Sequence, residues 1–402
     1  MNYQKYERMK FMSCVIFGAG KIARGFLGHL LYLSNIDFVF VEKVDALCDL
    51  INERKEYTVN ILGDSSKNTV VKNVSALKFS QKNDICKAIS DADCIFCSVG
   101  GKNLNDIVPI LAAGIEYRAE NNPKPINIIT CENWKKPADI LYDGISSIIL
   151  SDHKEYFENN VGITEAVIMR SAIESTPELL EKDPLVVNAQ NFWKFPFDAS
   201  RLKAPMPENM ICLEPIYEFT GFLERKFYTY NAANGTTSFV GAILGYKYIS
   251  DAASDERILN ILDGVYKETA TALSKKHNFP FDEQWAFTRT SLNKLQDKNI
   301  VDYIERNARD PIRKLGPDDR LVGSARLCTE YRVVPHNLAI AIACAIHYEE
   351  ASDEFAVKLK EIRETEGVQS VIEKVCKLDL QSELAALILE KVELIKEWGW
   401  VK

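Results

Sequence analysis

The first half of the chain alternates short apolar runs with amphipathic stretches. The runs at 14–17, 38–41, 94–99 and 127–131 have the length of buried strands, and helical patterns separate them. Strands that alternate with helices in this way are typical of βαβ units. The pattern therefore predicts a parallel sheet covered by helices.

From about residue 205 the pattern changes to one of long helices. Patterns of helix length cover 255–276, 337–350, 353–364, 367–377 and 381–397. In the first of them, apolar residues recur at three- and four-residue steps: Leu259, Leu262, Tyr266, Ala270 and Leu273. These steps place the apolar side chains on one helix face, so we expect a mainly helical domain over residues 205–402.

A glycine-rich turn follows the first strand. Gly18 would permit a tight turn, Gly20 would let the backbone approach a pyrophosphate, and Ala23 would keep the next helix close to the strand. The helix then offers free N–H groups to phosphates. We predict an α/β Rossmann-type dinucleotide-binding domain over residues 1–204, followed by the mainly α-helical substrate domain. The expected cofactor contacts in the turn are Gly18, Ala19, Gly20, Lys21 and Ile22.

Further cofactor contacts are predicted at the carboxyl ends of the later strands, where ligands bind such sheets. Glu42 ends the second strand, and an acid there accepts hydrogen bonds from a ribose and repels a 2′-phosphate. This favours NAD over NADP, although the adjacent Lys43 would soften the discrimination. Gly100 and Asn133 follow two further strands and complete the predicted set, with capping of the next segment as the alternative role of Asn133.

Composition narrows the possible partners and compartment. The chain has 402 residues and a net charge of −8, which argues against nucleic acid as a main partner. The polar residues 1–8 and the lack of an apolar run of about 18 residues indicate neither a signal peptide nor a membrane span. We therefore expect a cytoplasmic protein with reduced cysteines. Cys94 and Cys97 form a C-x-x-C, but they lie in a predicted strand that points them to opposite faces.

The second half contains a lysine and two asparagines at helical spacing. Lys226, Asn231 and Asn234 would span an arc of about 140° in a regular α-helix. A lysine with a lowered pKa can act as a base, and an asparagine amide can donate to an oxyanion. These three are the candidate catalytic residues, and the alternative is a solvated helix surface.

A second cluster of cations lies in a loop that contains proline and glycine. Arg313, Lys314 and Arg320 could bind a phosphate or a carboxylate. The competing interpretation is surface ion pairing with the neighbouring aspartates at 310, 318 and 319. His336, after a proline, is a further candidate for substrate binding, whereas His347 on an apolar helix is interpreted as structural.

Together these segments resemble the polyol-specific long-chain dehydrogenases, in order along nearly the whole chain. The matching segments are 17–28 (FGAGKIARGFLG), 128–133 (IITCEN), 224–231 (ERKFYTYN), 313–315 (RKL), 319–321 (DRL), 330–331 (EY) and 335–336 (PH). Collinear matches of this number are far more specific than any one motif.

The resemblance implies an NAD-dependent oxidoreductase that needs no catalytic metal and acts on a sugar or sugar phosphate. It implies the interconversion of mannitol 1-phosphate and fructose 6-phosphate, with Lys226 as general base and Asn231 holding the oxyanion. The arginine-rich loop then becomes a candidate phosphate clamp. The sequence carries no indication of the oligomeric state.

Two positions depart from the family pattern. Asn234 stands where the family has a histidine, and Met169 stands where it usually has an aspartate before Arg170. Both departures suggest altered substrate choice or weakened catalysis. Two alternatives therefore remain open: a hexuronate reductase of the tagaturonate or fructuronate type, and a weakly catalytic protein that binds NAD and a sugar.

Overall fold

The computed structural model describes residues 13–173 and 175–401. The polar residues 1–8, on which part of the cytoplasmic expectation rests, lie outside these ranges. Contacts divide the chain into two compact units, with the division between Phe219 and Thr220. The sequence-based boundary between residues 204 and 205 lies earlier. The difference arises because a strand at Leu213–Ile216 pairs with one at Phe195–Asp198 inside the first unit.

The described strands all belong to the first unit. They are β1 Ser13–Phe17, β2 Asp37–Glu42, β3 Glu56–Leu62, β4 Thr69–Lys72, β5 Ala76–Lys78, β6 Cys94–Cys97, β7 Ile126–Thr130, β8 Val161–Glu165, β9 Ala172–Ile173, β10 Val187–Gln190, β11 Phe195–Asp198 and β12 Leu213–Ile216. Its helices are α1 His29–Leu33, α2 Asp45–Arg54, α3 Lys82–Asp91, α4 Leu104–Asn121, α5 Pro137–Ile148, α6 Lys154–Asn160 and α7 Pro177–Lys182, and a π-helical segment, Ala23–Gly28, precedes α1.

The main sheet confirms the predicted Rossmann-type fold. It has six strands in the order β5-β2-β1-β6-β7-β8, and each neighbouring pair is parallel. Taken in chain order within this sheet, the strands run 3-2-1-4-5-6, which is the dinucleotide-binding order. The strand order reverses between β1 and β6, so the carboxyl ends of these two strands mark the expected ligand crevice.

The apolar faces of the sheet explain the uniformly hydrophobic strand sequences. Cys94 and Phe96 pack into one core cluster, while Ile95 and Cys97 pack into the cluster on the opposite face. This confirms that the C-x-x-C motif lies in a buried strand with its thiols on opposite sides. Burial raises the pKa of both thiols, so neither is poised as a reactive thiolate.

The second unit is helical throughout its described part. Its helices are α8 Phe219–Lys226, α9 Ala232–Ile243, α10 Ile249–Ala252, α11 Glu256–His277, α12 Phe281–Leu295, α13 Ile304–Ala308, α14 Pro311–Lys314, α15 Val322–Glu330, α16 His336–Ile346, α17 Glu354–Glu366, α18 Val368–Lys374 and α19 Glu383–Glu397. A π-helical segment, Phe227–Asn231, joins α8 to α9. No helix in the described ranges is long and apolar enough to cross a membrane.

Local sequence explains the longest of these helices. Asp255 caps the start of α11 by accepting hydrogen bonds from the backbone N–H groups of Arg257 and Ile258. Asn278 ends it in a left-handed conformation, at φ 56°. Between them, the predicted apolar face packs into the helical core through Leu262, Tyr266 and their neighbours.

Candidate active site

The glycine-rich turn after β1 has the shape that the sequence predicts. Gly18 adopts φ +89°, and a Cβ atom there would lie 2.3 Å from the carbonyl oxygen of Ser98. Only glycine fits this position without a backbone shift. A Cβ built on Gly20 would meet nothing within 4 Å, so open space lies in front of the turn. That space suits a pyrophosphate at the beginning of the following helix.

A pocket opens beside this turn at the point where the strand order reverses. It is lined by Gly18, Gly20, Val41, Glu42, Lys43, Val44, Phe79, Ser98, Val99, Asn103, Asp106 and Ile107. The lining combines backbone of the turn, one acid and an apolar wall, which matches the needs of an adenine nucleotide. The residues present therefore fit a dinucleotide. Of the other predicted contacts, Ala19, Lys21 and Ile22 belong to the same turn.

Glu42 is tied to the turn through backbone amides. Its carboxylate accepts hydrogen bonds from the N–H groups of Ala19 at 2.7 Å, Lys43 at 2.7 Å and Val44 at 2.9 Å. These bonds keep a negative charge at the rim of the pocket, where a 2′-phosphate would be repelled. The ammonium of Lys43 pairs with Asp106 at 3.1 Å. A carboxylate thus partly offsets the cation that would soften NAD selectivity.

A second carboxylate holds the loop after β6. Oε1 of Glu132 accepts hydrogen bonds from the N–H groups of Val99 at 2.7 Å and Gly100 at 2.8 Å. Burial raises the pKa of Glu132 to about 7, although both bonds act to lower it. Asn133 is exposed beside it, and its amide makes one long contact of 3.5 Å with the carbonyl of Ile168. The cofactor role of Asn133 stays a prediction.

Met169 and Arg170, the family's aspartate–arginine position, lie in the core of the first unit. The Arg170 guanidinium lies over the ring of Trp193, at 4.2 Å from its centroid, and its Nε donates to the carbonyl of Phe192 at 2.7 Å. Burial lowers the pKa of Arg170 to about 10. Met169 is itself 4% exposed. An aspartate in its place would bury a carboxylate, whereas methionine fills the space without charge.

In the second unit, a π-helical turn changes the predicted geometry of the lysine motif. Lys226 ends α8, and Phe227–Asn231 forms the π-helical segment immediately after it. A π-helix bonds residue i to i+5, so residues five apart lie nearly above one another. Lys226 and Asn231 therefore lie on nearly the same side of the helix. The arc expected for a regular α-helix is therefore too wide. The sequence does not indicate this, because the hydrophobic pattern of a π-turn is the same as that of an α-helical turn.

Lys226 is partly buried and lies close to other cations. Burial, together with the positive charge of Arg320, lowers the pKa of Lys226 to about 8. Lys294, near the end of α12, is also partly buried, and burial with the charge of Lys226 lowers its pKa to about 8. Sequence reasoning missed Lys294. The one sequence feature that points to its burial is its position, next to Leu295 on a helix that also buries Thr288 and Ser291.

A buried polar network holds both sides of the lysine. Oε1 of Gln284 accepts a hydrogen bond from Nε of Arg225 at 2.5 Å, and its Nε2 donates to Oγ1 of Thr229 at 3.0 Å. Gln284 and Thr229 are 0% exposed. Arg225 also lies over Phe287, at 4.4 Å from the ring centroid. One side chain on α12 therefore fixes the residue before Lys226 and the middle of the π-turn.

The two asparagines of the motif have different surroundings. Asn231 ends the π-turn, and among residues 13–173 and 175–401 its side chain has no hydrogen-bond partner. Asn234 donates from Nδ2 to Oδ1 of Asn307 at 3.1 Å. Asn307 in turn donates to Oδ1 of Asp302 at 2.6 Å. Asn234 therefore has polar partners beyond the motif, whereas the amide of Asn231 remains available to a ligand.

The predicted substrate cations do not share one environment. Arg313 is exposed and paired with Asp310 at 2.9 Å and Asp319 at 3.2 Å, which is the surface pairing that the sequence left open. Lys314 is buried and donates to the backbone carbonyls of Asn307 and Arg309. Their involvement in substrate binding stays a prediction, and these contacts favour structural roles.

Arg320 and His336 complete the predicted set. The guanidinium of Arg320 lies 5.7 Å from the ring centroid of Phe227, at the start of the π-turn, and its Nε pairs with Asp319 at 2.9 Å. His336 is the exposed first residue of α16 and lies near Glu390. Only Arg320 of this set acts on the charge of Lys226. Within the described residues, no group of acids, cysteines and histidines is arranged to hold a metal ion.

Profiles of two protein families cover most of the chain. The mannitol dehydrogenase Rossmann domain matches residues 12–209, and the mannitol dehydrogenase C-terminal domain matches residues 218–396. The two matches follow one another in the order that the fold shows. They confirm the family resemblance that the sequence motifs carry.

Curated relatives and solved structures agree with this assignment. The mannitol-1-phosphate 5-dehydrogenase of Thermoanaerobacter pseudethanolicus is 32% identical over 386 residues, covering 96% of this chain and 98% of that protein. The enzyme of the same name from Clostridium acetobutylicum is 31% identical, covering 96% and 100%. A D-sorbitol dehydrogenase in substrate-free form has the same fold, with a TM-score of 0.81, 14% identity and coverage of 98% and 97%. Pseudomonas fluorescens mannitol 2-dehydrogenase, solved with NAD and D-mannitol, has a TM-score of 0.68 at 11% identity, covering 97% and 93%.

Proposed function

The chain belongs to the mannitol dehydrogenase family of NAD-dependent oxidoreductases that act on CH–OH groups, and on this basis we propose that it interconverts mannitol 1-phosphate and fructose 6-phosphate. Relatives that carry this activity in their names match nearly the full chain at about one-third identity. The observation that carries the proposal is the environment of Lys226. Burial and Arg320 lower its pKa to about 8, the range in which an amine serves as a general base near neutral pH.

In the oxidative direction, the neutral amine of Lys226 takes the proton from the substrate hydroxyl. NAD, which Gly18, Gly20 and Glu42 would hold, would supply the acceptor for the hydride that leaves the carbon of that alcohol. Asn231 donates a hydrogen bond from its amide to the oxygen as that oxygen gains negative charge. In the reductive direction the Lys226 ammonium returns the proton to the same oxygen. The charge of Arg320 favours the neutral amine of Lys226 before the reaction.

We assign the substrate phosphate to Arg320 rather than to Arg313. Arg320 acts electrostatically on Lys226 and pairs with one carboxylate, Asp319, whereas Arg313 is shared between two carboxylates. A guanidinium binds a carboxylate as readily as a phosphate, so a hexuronate remains the second candidate substrate. A binding protein with little turnover would not need a lysine with a lowered pKa, so such a protein is the third candidate.

Steady-state assays with NADH test the proposal. Fructose 6-phosphate, fructose, tagaturonate and fructuronate are compared as substrates, with fructose 6-phosphate expected to give the highest kcat/KM. Lys226→Ala is expected to lower kcat by at least about 100-fold, the contribution typical of a general base. Turnover of a uronate, without turnover of fructose 6-phosphate or fructose, would identify the chain as a hexuronate reductase instead. Full turnover by Lys226→Ala would show that Lys226 is not the general base.

A further inference from the structure

Asn234 is the first member of an amide relay, which we define as Asn234, Asn307 and Asp302. Nδ2 of Asn234 donates to Oδ1 of Asn307 at 3.1 Å. Nδ2 of Asn307 donates to Oδ1 of Asp302 at 2.6 Å and to the carbonyl oxygen of Tyr303 at 2.9 Å. The relay begins on α9 and ends just before α13.

The relay has one consistent direction. A carboxylate and a backbone carbonyl can only accept hydrogen bonds, so Asn307 must turn its NH₂ group toward Asp302 and Tyr303. Its Oδ1 then faces Asn234 as an acceptor, so Asn234 must donate a hydrogen bond from its own NH₂ group. The orientation of both amides is thus assigned from their partners. Oδ1 of Asn234 points the other way, with no hydrogen-bond partner in the described part of the chain.

The relay lies in the same neighbourhood as the lysine. A Cβ atom on Gly235, the next residue, would lie 3.1 Å from Cδ of Arg320, so the stem of that arginine passes beside the start of the relay. At its other end, Asp302 acts electrostatically on Lys294, which is itself influenced by Lys226. One end of the relay therefore lies beside the arginine that acts on Lys226, and the other end acts on a lysine whose pKa Lys226 lowers.

We propose that Asp302 and Asn307 are positioning residues that orient Asn234 as a hydrogen-bond acceptor for a substrate hydroxyl. This inference rests on the proposed function, because it assumes a substrate bound at Lys226. A hydroxyl can donate to Oδ1 of Asn234, whereas an ionised phosphate or carboxylate offers only acceptor oxygens and is disfavoured there. Position 234 then selects a neutral polyol hydroxyl and excludes the charged end of the substrate.

The proposal also explains how asparagine can replace the family's histidine. A neutral histidine can donate from one ring nitrogen to Asn307 and accept with the other. The relay would impose the same direction on either residue. Asn234→Leu, which can neither donate nor accept, is therefore expected to lower kcat/KM about 10- to 100-fold, and Asn234→His is expected to lose less.

A double-mutant cycle tests the direction of the relay without any assay of turnover. Asn234→Asp places an acceptor against Oδ1 of Asn307 and is expected to lower Tm by about 3 °C or more. Adding Asp302→Asn removes one of the two acceptors that hold the Asn307 amide and supplies a new amide donor for its Oδ1. Asn307 can then rotate and donate to the new carboxylate, although it gives up its bond to the carbonyl of Tyr303, so Tm should recover in part in the double variant. The matched control adds Asp297→Asn instead, which removes a carboxylate that also acts on Lys294 but leaves Asp302 in place.

Recovery in the Asp302→Asn background alone supports the relay, and kcat/KM for the polyol should recover with it. Equal recovery of Tm in the Asp297→Asn background would mean that only the loss of a negative charge matters. No recovery of Tm in either background would mean that Asn307 does not rotate. Either result overturns the proposal. If Tm shows the cycle but no polyol or ketose is turned over, the proposed function has failed and the orientation of the relay has not.

Discussion

Lys294 lies close enough to Lys226 for the ammonium of Lys226 to lower its pKa, and the pKa of each is about 8. Two amines that interact in this way titrate as a pair, so the charge of either one opposes the charging of the other. Burial supplies the larger part of both shifts. The pairing raises the fraction of neutral amine near physiological pH above that of an ordinary lysine.

Lys294→Met should raise the pKa of Lys226, because it removes a neighbouring positive charge and leaves the apolar stem. Since the base acts as the neutral amine, the acid limb of the kcat/KM profile for alcohol oxidation should move to higher pH. Lys298→Met is the matched control, because Lys298 is an exposed lysine four residues further on. The profile of the control should stay in place, and an unmoved profile in Lys294→Met would contradict the pairing.

The same pair should make stability depend on pH. A lysine whose pKa is about 8 in the folded protein and about 10.4 in the unfolded chain binds more protons when unfolded over that interval. Its burial therefore destabilises the fold fully below pH 8, and this penalty is relieved as pH rises toward 10. Lys294→Met should raise Tm more at pH 7 than at pH 10, measured as the difference from the natural protein by calorimetry.

Gln284 should influence catalysis through the π-turn. Gln284→Met removes the hydrogen bonds to Arg225 and Thr229, which fix the chain on both sides of Lys226. We expect kcat to fall about tenfold, because a small misplacement of the base is costly, and the acid limb to shift. Ser291→Ala is the control: it deletes a buried hydrogen bond from Tyr266 to the same helix. A loss of Tm with an unchanged kcat and pH profile in Gln284→Met would reduce Gln284 to a purely structural role.

The sequence predicts the first unit more completely than the second. The apolar runs and the glycine turn identify the sheet, because buried strands require apolar residues and a turn with positive φ favours glycine. The π-turn at Phe227–Asn231 leaves none, since its residues would also fit an α-helix. Lys294 and the relay partners of Asn234 were missed for a related reason. Contacts across 60 or more residues depend on how helices pack, and one-dimensional periodicity does not encode that.

Glu132 should set the pH dependence of cofactor binding. Its carboxylate holds the amides of Val99 and Gly100, and Val99 lines the nucleotide pocket. With the pKa at about 7, protonation below neutral pH weakens this acceptor, so the affinity for NADH should decrease there. Glu132→Gln keeps a neutral carbonyl acceptor and should hold Kd at the low-pH value of the natural protein across pH 6–8. Fluorescence titration with NADH measures this, and a pH-dependent Kd in Glu132→Gln would assign the titration to another group.

Substitution of Arg320 should weaken binding of the substrate phosphate, whereas substitution of Arg313 should not. Arg320→Met is expected to raise KM for fructose 6-phosphate about tenfold or more, as loss of a charge-assisted bond implies, with a smaller effect on fructose. It should also raise the pKa of Lys226, because it removes a positive charge that acts on that amine, and so move the acid limb to higher pH. Arg313→Met removes the same charge from an exposed side chain already shared by Asp310 and Asp319, and should change neither quantity. If Arg313→Met raised KM instead, the phosphate would bind at the outer loop, and the Arg320 guanidinium would serve only to lower the pKa of Lys226.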